Sequence, residues 1–138
     1  FFLAATAHAY NTYFNRWAPN LKVYESFQAD ITEKAHWLKN QPNDIKKYVV
    51  ISEVDRIDLT GSQMSLQPII FITDTFYETK QKEKNIYYVA LKDLENISCE
   101  SDCVVIPLEH DPPLFRSIKQ KIPSLQLNVS PGFVTFRK

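Results

Sequence analysis

The sequence predicts an α/β domain: a small three-layer α/β/α sandwich with a mostly parallel, Rossmann-like sheet, preceded by two helices and closed by a C-terminal antiparallel hairpin. Three observations predict this fold. Apolar residues recur at helical spacing in the first third of the chain. Short β-branched runs then alternate with helical patterns, which is typical of parallel sheets. Near the end, two segments of alternating polarity flank Pro131 and Gly132, as expected for a hairpin.

Length and composition indicate one folded domain over residues 1–138. The chain is 44% hydrophobic and 13% aromatic, which is globular in composition. Its 16 basic and 16 acidic residues cancel, and the basic ones are scattered, so no nucleic-acid partner is predicted. Because the sequence has no run of about 18–20 apolar residues, we predict no transmembrane segment within it.

The first predicted helix covers residues 8–18. Its aromatic residues recur at steps of three and four, which is typical of an amphipathic helix with one buried face. They could also stack on sugar rings or lie at a membrane surface, but we prefer the core interpretation. Pro19 and Asn20 end the helix. The residues of the stripe are Tyr10, Tyr13, Phe14 and Trp17.

The second predicted helix covers residues 24–39 and ends before a polar segment that contains Pro42. Trp37 lies beside its apolar stripe and widens it. The stripe residues are Tyr24, Phe27, Ile31, Ala35 and Leu38.

The sheet begins with residues 48–51, a continuous β-branched run that predicts a strand buried on both faces. Residues 69–72 fit a strand by propensity, whereas the apolar residues of 66–77 fall at helical spacing. We favour the helix because it would form a right-handed crossover. Residues 86–90 and 104–108 predict two more strands.

A third long helix and the hairpin complete the predicted order. Asp111 is the expected N-cap of this helix, and Pro112 and Pro113 occupy its first turn. Residues 125–129 and 133–136 alternate apolar and polar side chains, which predicts two antiparallel strands.

Two cysteines, Cys99 and Cys103, lie in one polar loop between predicted strands. In an extended loop their Cα atoms would be roughly 13 Å apart, beyond the ~7 Å limit for a disulfide, so pairing requires a turn. We expect them to pair if the chain is oxidised. A metal site is not expected, since two further ligands at suitable spacing are missing.

No catalytic motif is recognisable. With only two glycines, Gly61 and Gly132, the chain cannot build a phosphate-binding P-loop or a dinucleotide fingerprint. His8, His36 and His110 are far apart and form no helical metal-binding pair. We therefore expect no cofactor and no catalytic residue in this chain.

The best candidates for a binding site are acidic residues after two predicted strands. Glu53 and Asp55 follow the first strand, and Glu109, His110 and Asp111 follow the third. In open α/β sheets, ligands bind at the carboxyl ends of strands, so both groups could face one crevice. The alternative, which we prefer, is that Asp111 caps a helix while Glu53, Asp55 and Asp58 are solvated loop charges.

A family resemblance begins in the aromatic region. Asn11 to Ala18 is followed by Val23-Tyr24-Glu25-Ser26-Phe27 and then by Ala35 and Leu38. This passage resembles the segment after the last membrane helix in prokaryotic relatives of the dolichyl-phosphate-mannose protein mannosyltransferases. There, a Y-x-x-Y-F-x-x-W-A pattern precedes a Phe-bearing helix and a strand like residues 48–51. The similarity extends loosely through residues 68–73, 85–88 and 104–107.

The resemblance implies a C-terminal domain on the extracytoplasmic face of a polytopic membrane glycosyltransferase that uses a polyprenyl-phosphate-linked sugar. Residues 1–20 would join a preceding membrane segment. The implied partners are the membrane-embedded part of the same protein and an acceptor protein or glycan. The catalytic acidic residues of such enzymes lie in loops that this chain does not contain. The alternative is a free-standing ligand-binding domain or hydrolase with its site at the acidic strand ends.

Overall fold

The computed structural model describes residues 2–26, 28–52, 64–130 and 132–138. The N-terminal region is helical, with α1 at Phe2–Tyr10, a π-helical segment at Asn11–Trp17, α2 at Leu21–Ser26 and α3 at Ala29–Lys39. The second predicted helix is therefore two helices. They are separated at Gln28, whose φ of 51° lies in the left-handed region and interrupts the helical path.

The predicted burial of the first helix is wrong. Every residue from 2 to 20 is exposed, including Tyr13 at 62% and Trp17 at 47%. The aromatic rings contact one another along the helix, with 4.9 Å between the ring centroids of Tyr10 and Phe14. Helical spacing correctly predicted one aromatic face, but this face packs on no core cluster of the described residues.

Five strands form one mixed sheet in the described residues: β1 at Lys46–Ile51, β2 at Ile86–Ala90, β3 at Cys103–Pro107, β4 at Gln126–Ser130 and β5 at Phe133–Arg137. Their order is β2-β1-β3-β5-β4. β1 runs parallel to β2 and β3, and β5 runs antiparallel to β3 and β4. The predicted α/β class is confirmed, together with the parallel strands and the final hairpin.

The connections between strands are helical. A 3-10 turn at Met64–Leu66 leads into α4 at Gln67–Thr73, which confirms the helical interpretation of this stretch. The sequence pattern did not predict α5 at Glu78–Lys84. A second 3-10 segment lies at Leu91–Asn96, and α6 spans Pro112–Lys121.

Helices pack on both faces of the sheet, and β1 is therefore buried on both sides. On one face, Val50 packs in a cluster with Leu114 and Ile118 of α6. On the other face, Val49 packs in a cluster with Ala35 of α3 and Ile69 of α4. A continuous β-branched run is the expected pattern for such a strand, and it does lie at the centre of the parallel part.

The loop before β3 is closed by a disulfide between Cys99 and Cys103, with 5.5 Å between their Cα atoms. The required turn is formed by residues 100–102. The C-terminal Lys138 covers this loop, since its ammonium donates to the carbonyl oxygen of Cys99 at 2.7 Å.

Candidate functional site

The structure places part of the predicted acidic site at the carboxyl end of β3. Glu109, His110 and Asp111 lie in the turn between β3 and α6. Glu53 and Asp55 lie outside the described residues, as does Asp58. The described half of the site is therefore the turn after β3 and the side chains that surround it.

Glu109 is held beside the end of β1. The N–H of Leu108 donates to the carbonyl oxygen of Val50 at 2.8 Å, which continues the β1–β3 pairing by one residue. Directly beyond it, the hydroxyl of Ser52 donates to Oε1 of Glu109 at 2.8 Å. Glu109 is thus not a freely solvated loop charge, because a neighbouring strand end orients its carboxylate.

Asp111 occupies the predicted N-cap position of α6, and Pro112 and Pro113 fill the first turn. Its side chain makes no capping hydrogen bond within the described part of the chain. The first turn instead closes through the backbone, where the N–H of Phe115 donates to the carbonyl oxygen of Asp111 at 3.1 Å. The predicted position is correct, but the predicted side-chain cap is wrong. Because prolines have no N–H, they leave fewer donors for a cap.

A small cleft opens beside this turn, between α3, α6 and the start of β5. Its volume is about 100 Å³, smaller than the roughly 300–1,000 Å³ of typical drug-sized ligand sites. The side chains that give it chemical character are Asp30, Lys34, Glu109, His110, Phe115 and Phe133.

Lys34 is one of the cleft residues that the sequence-based prediction did not include. Its side chain is buried, with 3% of the residue exposed. The ammonium donates to the carbonyl oxygen of Leu108 and lies 3.6 Å from Oδ2 of Asp30. A signal was present, because position 34 is three residues after Ile31 and four before Leu38, on the buried stripe of α3.

Burial lowers the pKa of Lys34 below its ordinary value, since an ammonium loses solvation inside the protein. The carboxylates of Asp30 and Glu109 act in the opposite direction and favour the charged form. Desolvation is the larger effect. Burying the Lys34 ammonium in this cleft therefore costs solvation free energy.

We expect the free energy of unfolding to depend on Lys34 at alkaline pH. Because its folded-state pKa lies below the ordinary 10.5, the unfolded chain binds more protons between the two values, so stability should rise with pH in that window. Urea unfolding of wild type and Lys34→Met from neutral pH to pH 10.5 should show the free energy of unfolding of wild type rising relative to that of the variant.

The matched control is Lys39→Met on the same helix, where the side chain is exposed. Its curve should run parallel to that of wild type, because an exposed group keeps its water in both states. A wild-type curve parallel to that of Lys34→Met would contradict the assigned burial of the ammonium.

Two aromatic rings form a wall of the cleft. The imidazole of His110 meets Phe115 edge-on, with 5.3 Å between ring centroids, and Phe115 in turn contacts Phe136 in the core. The wall is therefore anchored to the sheet. Within the described ranges, no group of three or more His, Cys, Asp or Glu side chains could hold a metal ion.

A second candidate surface is the N-terminal helical segment, residues 2–24, which we call the aromatic arm. It contains no acidic residue, since the first one in the chain is Glu25, and its formal charges are Arg16 and Lys22. At its end, a hydrogen bond with Glu33 of α3 raises the pKa of the Tyr24 hydroxyl. The arm is thus joined to the domain at its base.

None of the helices in the described ranges combines the length and the apolar run that crossing a bilayer requires. Comparisons of the chain with protein-family models, with curated proteins and with solved structures gave no match.

Proposed function

We propose that this chain is a non-catalytic accessory domain on the extracytoplasmic side of a polytopic membrane glycosyltransferase that uses a polyprenyl-phosphate-linked sugar. In this proposal the domain positions the acceptor or stabilises the enzyme. Its partners are the membrane-embedded part of the same protein and the acceptor. Chemistry would take place in the membrane part, with none at the described residues of this domain.

The observation that carries the proposal is the exposure of the aromatic arm. Tyr10, Tyr13 and Phe14 are each more than 60% exposed, and residues 2–20 are exposed throughout. Large contiguous exposed apolar surfaces mark protein or membrane contacts. Tyr and Trp are enriched where an apolar phase meets water, because each has an apolar ring and a polar tip.

The charge of the arm also supports its contact with a membrane surface. Because its only formal charges are the basic residues Arg16 and Lys22, the arm is suited to anionic headgroups. The disulfide between Cys99 and Cys103 supports an oxidising, extracytoplasmic compartment, where such bonds persist. The Rossmann-like sandwich belongs to the proposal as well, supported by the β2-β1-β3 order of the parallel strands.

Vesicle binding tests the membrane side of the proposal. We expect the 138-residue chain to co-sediment with vesicles of mixed zwitterionic and anionic lipid. Replacing Tyr13, Phe14 and Trp17 together by serine should lower the partition coefficient at least about tenfold, since burial of even one of these side chains contributes roughly 1.5–3 kcal/mol.

The matched control replaces three exposed aromatic residues outside the arm, Phe71, Phe76 and Tyr77, by serine. It should bind vesicles like wild type. Equal losses in both triple variants, or no binding by wild type, would contradict the role of the arm. A separate assay tests the proposal that the chain is not catalytic. Turnover of any polyprenyl-phosphate-linked sugar by the isolated chain would contradict it.

A second function is favoured by the cleft at the end of β3. A free-standing ligand-binding domain needs a concave site with oriented polar groups, and the oriented Glu109 and Lys34 meet that requirement. A hydrolase is the weaker version of this alternative. The vesicle experiment separates the two functions, since a free-standing binding domain has no need of the arm.

A further inference from the structure

We propose that the cleft at the carboxyl end of β3 binds one edge of a neutral, hydroxyl-rich ligand, that is, a sugar residue. The groups that recognise it are the carboxylates of Asp30 and Glu109, the ammonium of Lys34 and the rings of His110 and Phe115. Nothing in this inference uses the aromatic arm, so it and the proposed function can fail independently.

The polar groups of the cleft are oriented before any ligand arrives. The Ser52 hydroxyl holds Oε1 of Glu109 at 2.8 Å, and the Lys34 ammonium lies 3.6 Å from Asp30. Lys34 is itself anchored to the carbonyl oxygen of Leu108. Preorganised groups lose little conformational freedom on binding, which is the usual property of a specific polar site.

The charges around the cleft select a neutral ligand. A cation would lie beside the buried Lys34 ammonium, and an anion would lie beside the two carboxylates of Asp30 and Glu109. A hydroxyl group can donate to a carboxylate and accept from an ammonium, so adjacent hydroxyls satisfy both kinds of partner. Vicinal hydroxyls of this kind are what a sugar ring presents along one edge.

Size and shape agree with a partly inserted ring. About 100 Å³ is far below a typical pocket for a drug-sized ligand and suits a single edge of a monosaccharide. The wall formed by His110 and Phe115 presents apolar ring surface to the C–H groups of a sugar. Contact through one edge implies weak, millimolar binding.

The test is an NMR titration of the ¹⁵N-labelled 138-residue chain with the methyl α-glycosides of glucose, mannose and galactose, up to about 100 mM each. At least one glycoside should cause saturable shifts at the amides of Asp30, Lys34, Glu109, His110 and Phe115. Glu109→Gln and Asp30→Asn should each weaken binding about tenfold, since each removes a hydrogen bond to a charged acceptor.

The control variant is Glu100→Gln, at an exposed carboxylate in the disulfide loop, and it should bind like wild type. Two charged probes, propylammonium and acetate, complete the design. The inference is overturned if no glycoside gives saturable shifts, or if either charged probe saturates these amides while the glycosides do not. If Asp30→Asn fails to fold, as judged from its spectrum, Glu109→Gln alone decides the role of the carboxylates.

Discussion

Replacing Phe136 by alanine should lower the free energy of unfolding by about 3–5 kcal/mol, the usual cost of emptying a large aromatic site. Phe136 is 1% exposed and lies in β5 opposite Val105, where the antiparallel hairpin joins the parallel strands. Its ring contacts Phe115 at 6.2 Å between centroids. The substitution would therefore leave a cavity between the sheet and α6 that the rigid strands cannot close.

Trp17→Ala is the matched comparison. Although Trp17 has the larger side chain, its replacement should lower the free energy of unfolding less than that of Phe136. Trp17 is 47% exposed in the arm, so its removal should cost less than about 1 kcal/mol, as surface substitutions usually do. Urea unfolding followed by circular dichroism measures both variants. A cost at Trp17 equal to that at Phe136 would show that the arm packs on the domain in solution.

Reducing the disulfide between Cys99 and Cys103 should lower the free energy of unfolding by about 2 kcal/mol, which is the chain-entropy effect of closing so short a loop. The loop is also a site of tertiary contact. The Tyr48 hydroxyl donates to the carbonyl oxygen of Ser98 at 3.1 Å, and Lys138 donates to Cys99. Losing these contacts on reduction would add to the entropic effect.

The measurement compares urea unfolding of wild type with and without a thiol reductant. The free energy of unfolding of the double variant Cys99→Ala and Cys103→Ala should not change with the reductant. It should match that of reduced wild type within about 1 kcal/mol, which allows for truncating the buried Cys103 side chain. Two titratable thiols in unreduced, unfolded wild type would contradict the pairing and count against the proposed extracytoplasmic location.

Much of the secondary structure was predictable because it depends on neighbours in the chain. The continuous run at residues 48–51 became part of the central parallel strand, and the helical spacing of Ile69 and Thr73 prevailed over local strand propensity in α4. The boundary at Gln28 was not predictable, since the stripe continues across it. A left-handed residue other than glycine or asparagine leaves little trace in sequence.

The candidate site was predictable only in part. The position of Glu109 after a strand pointed to the correct edge of the sheet, as the general rule for α/β folds suggests. The contribution of Ser52 and Lys34 was not foreseen, because each meets Glu109 or Leu108 across more than fifty residues of sequence. Such pairings depend on which strands become neighbours.

By itself, the sequence determined most of the helices and strands, the burial of residues 48–51 on both faces of the sheet, and the hairpin of β4 and β5, because these follow from local periodicity. Only the tertiary structure decided what each face of a helix or strand packs against. Periodicity assigned the aromatic stripe to a face but could not say that this face lies in solvent. It put Lys34 on the buried stripe of α3 but could not identify the carbonyl oxygen that stabilises the ammonium there, which lies 74 residues away in sequence.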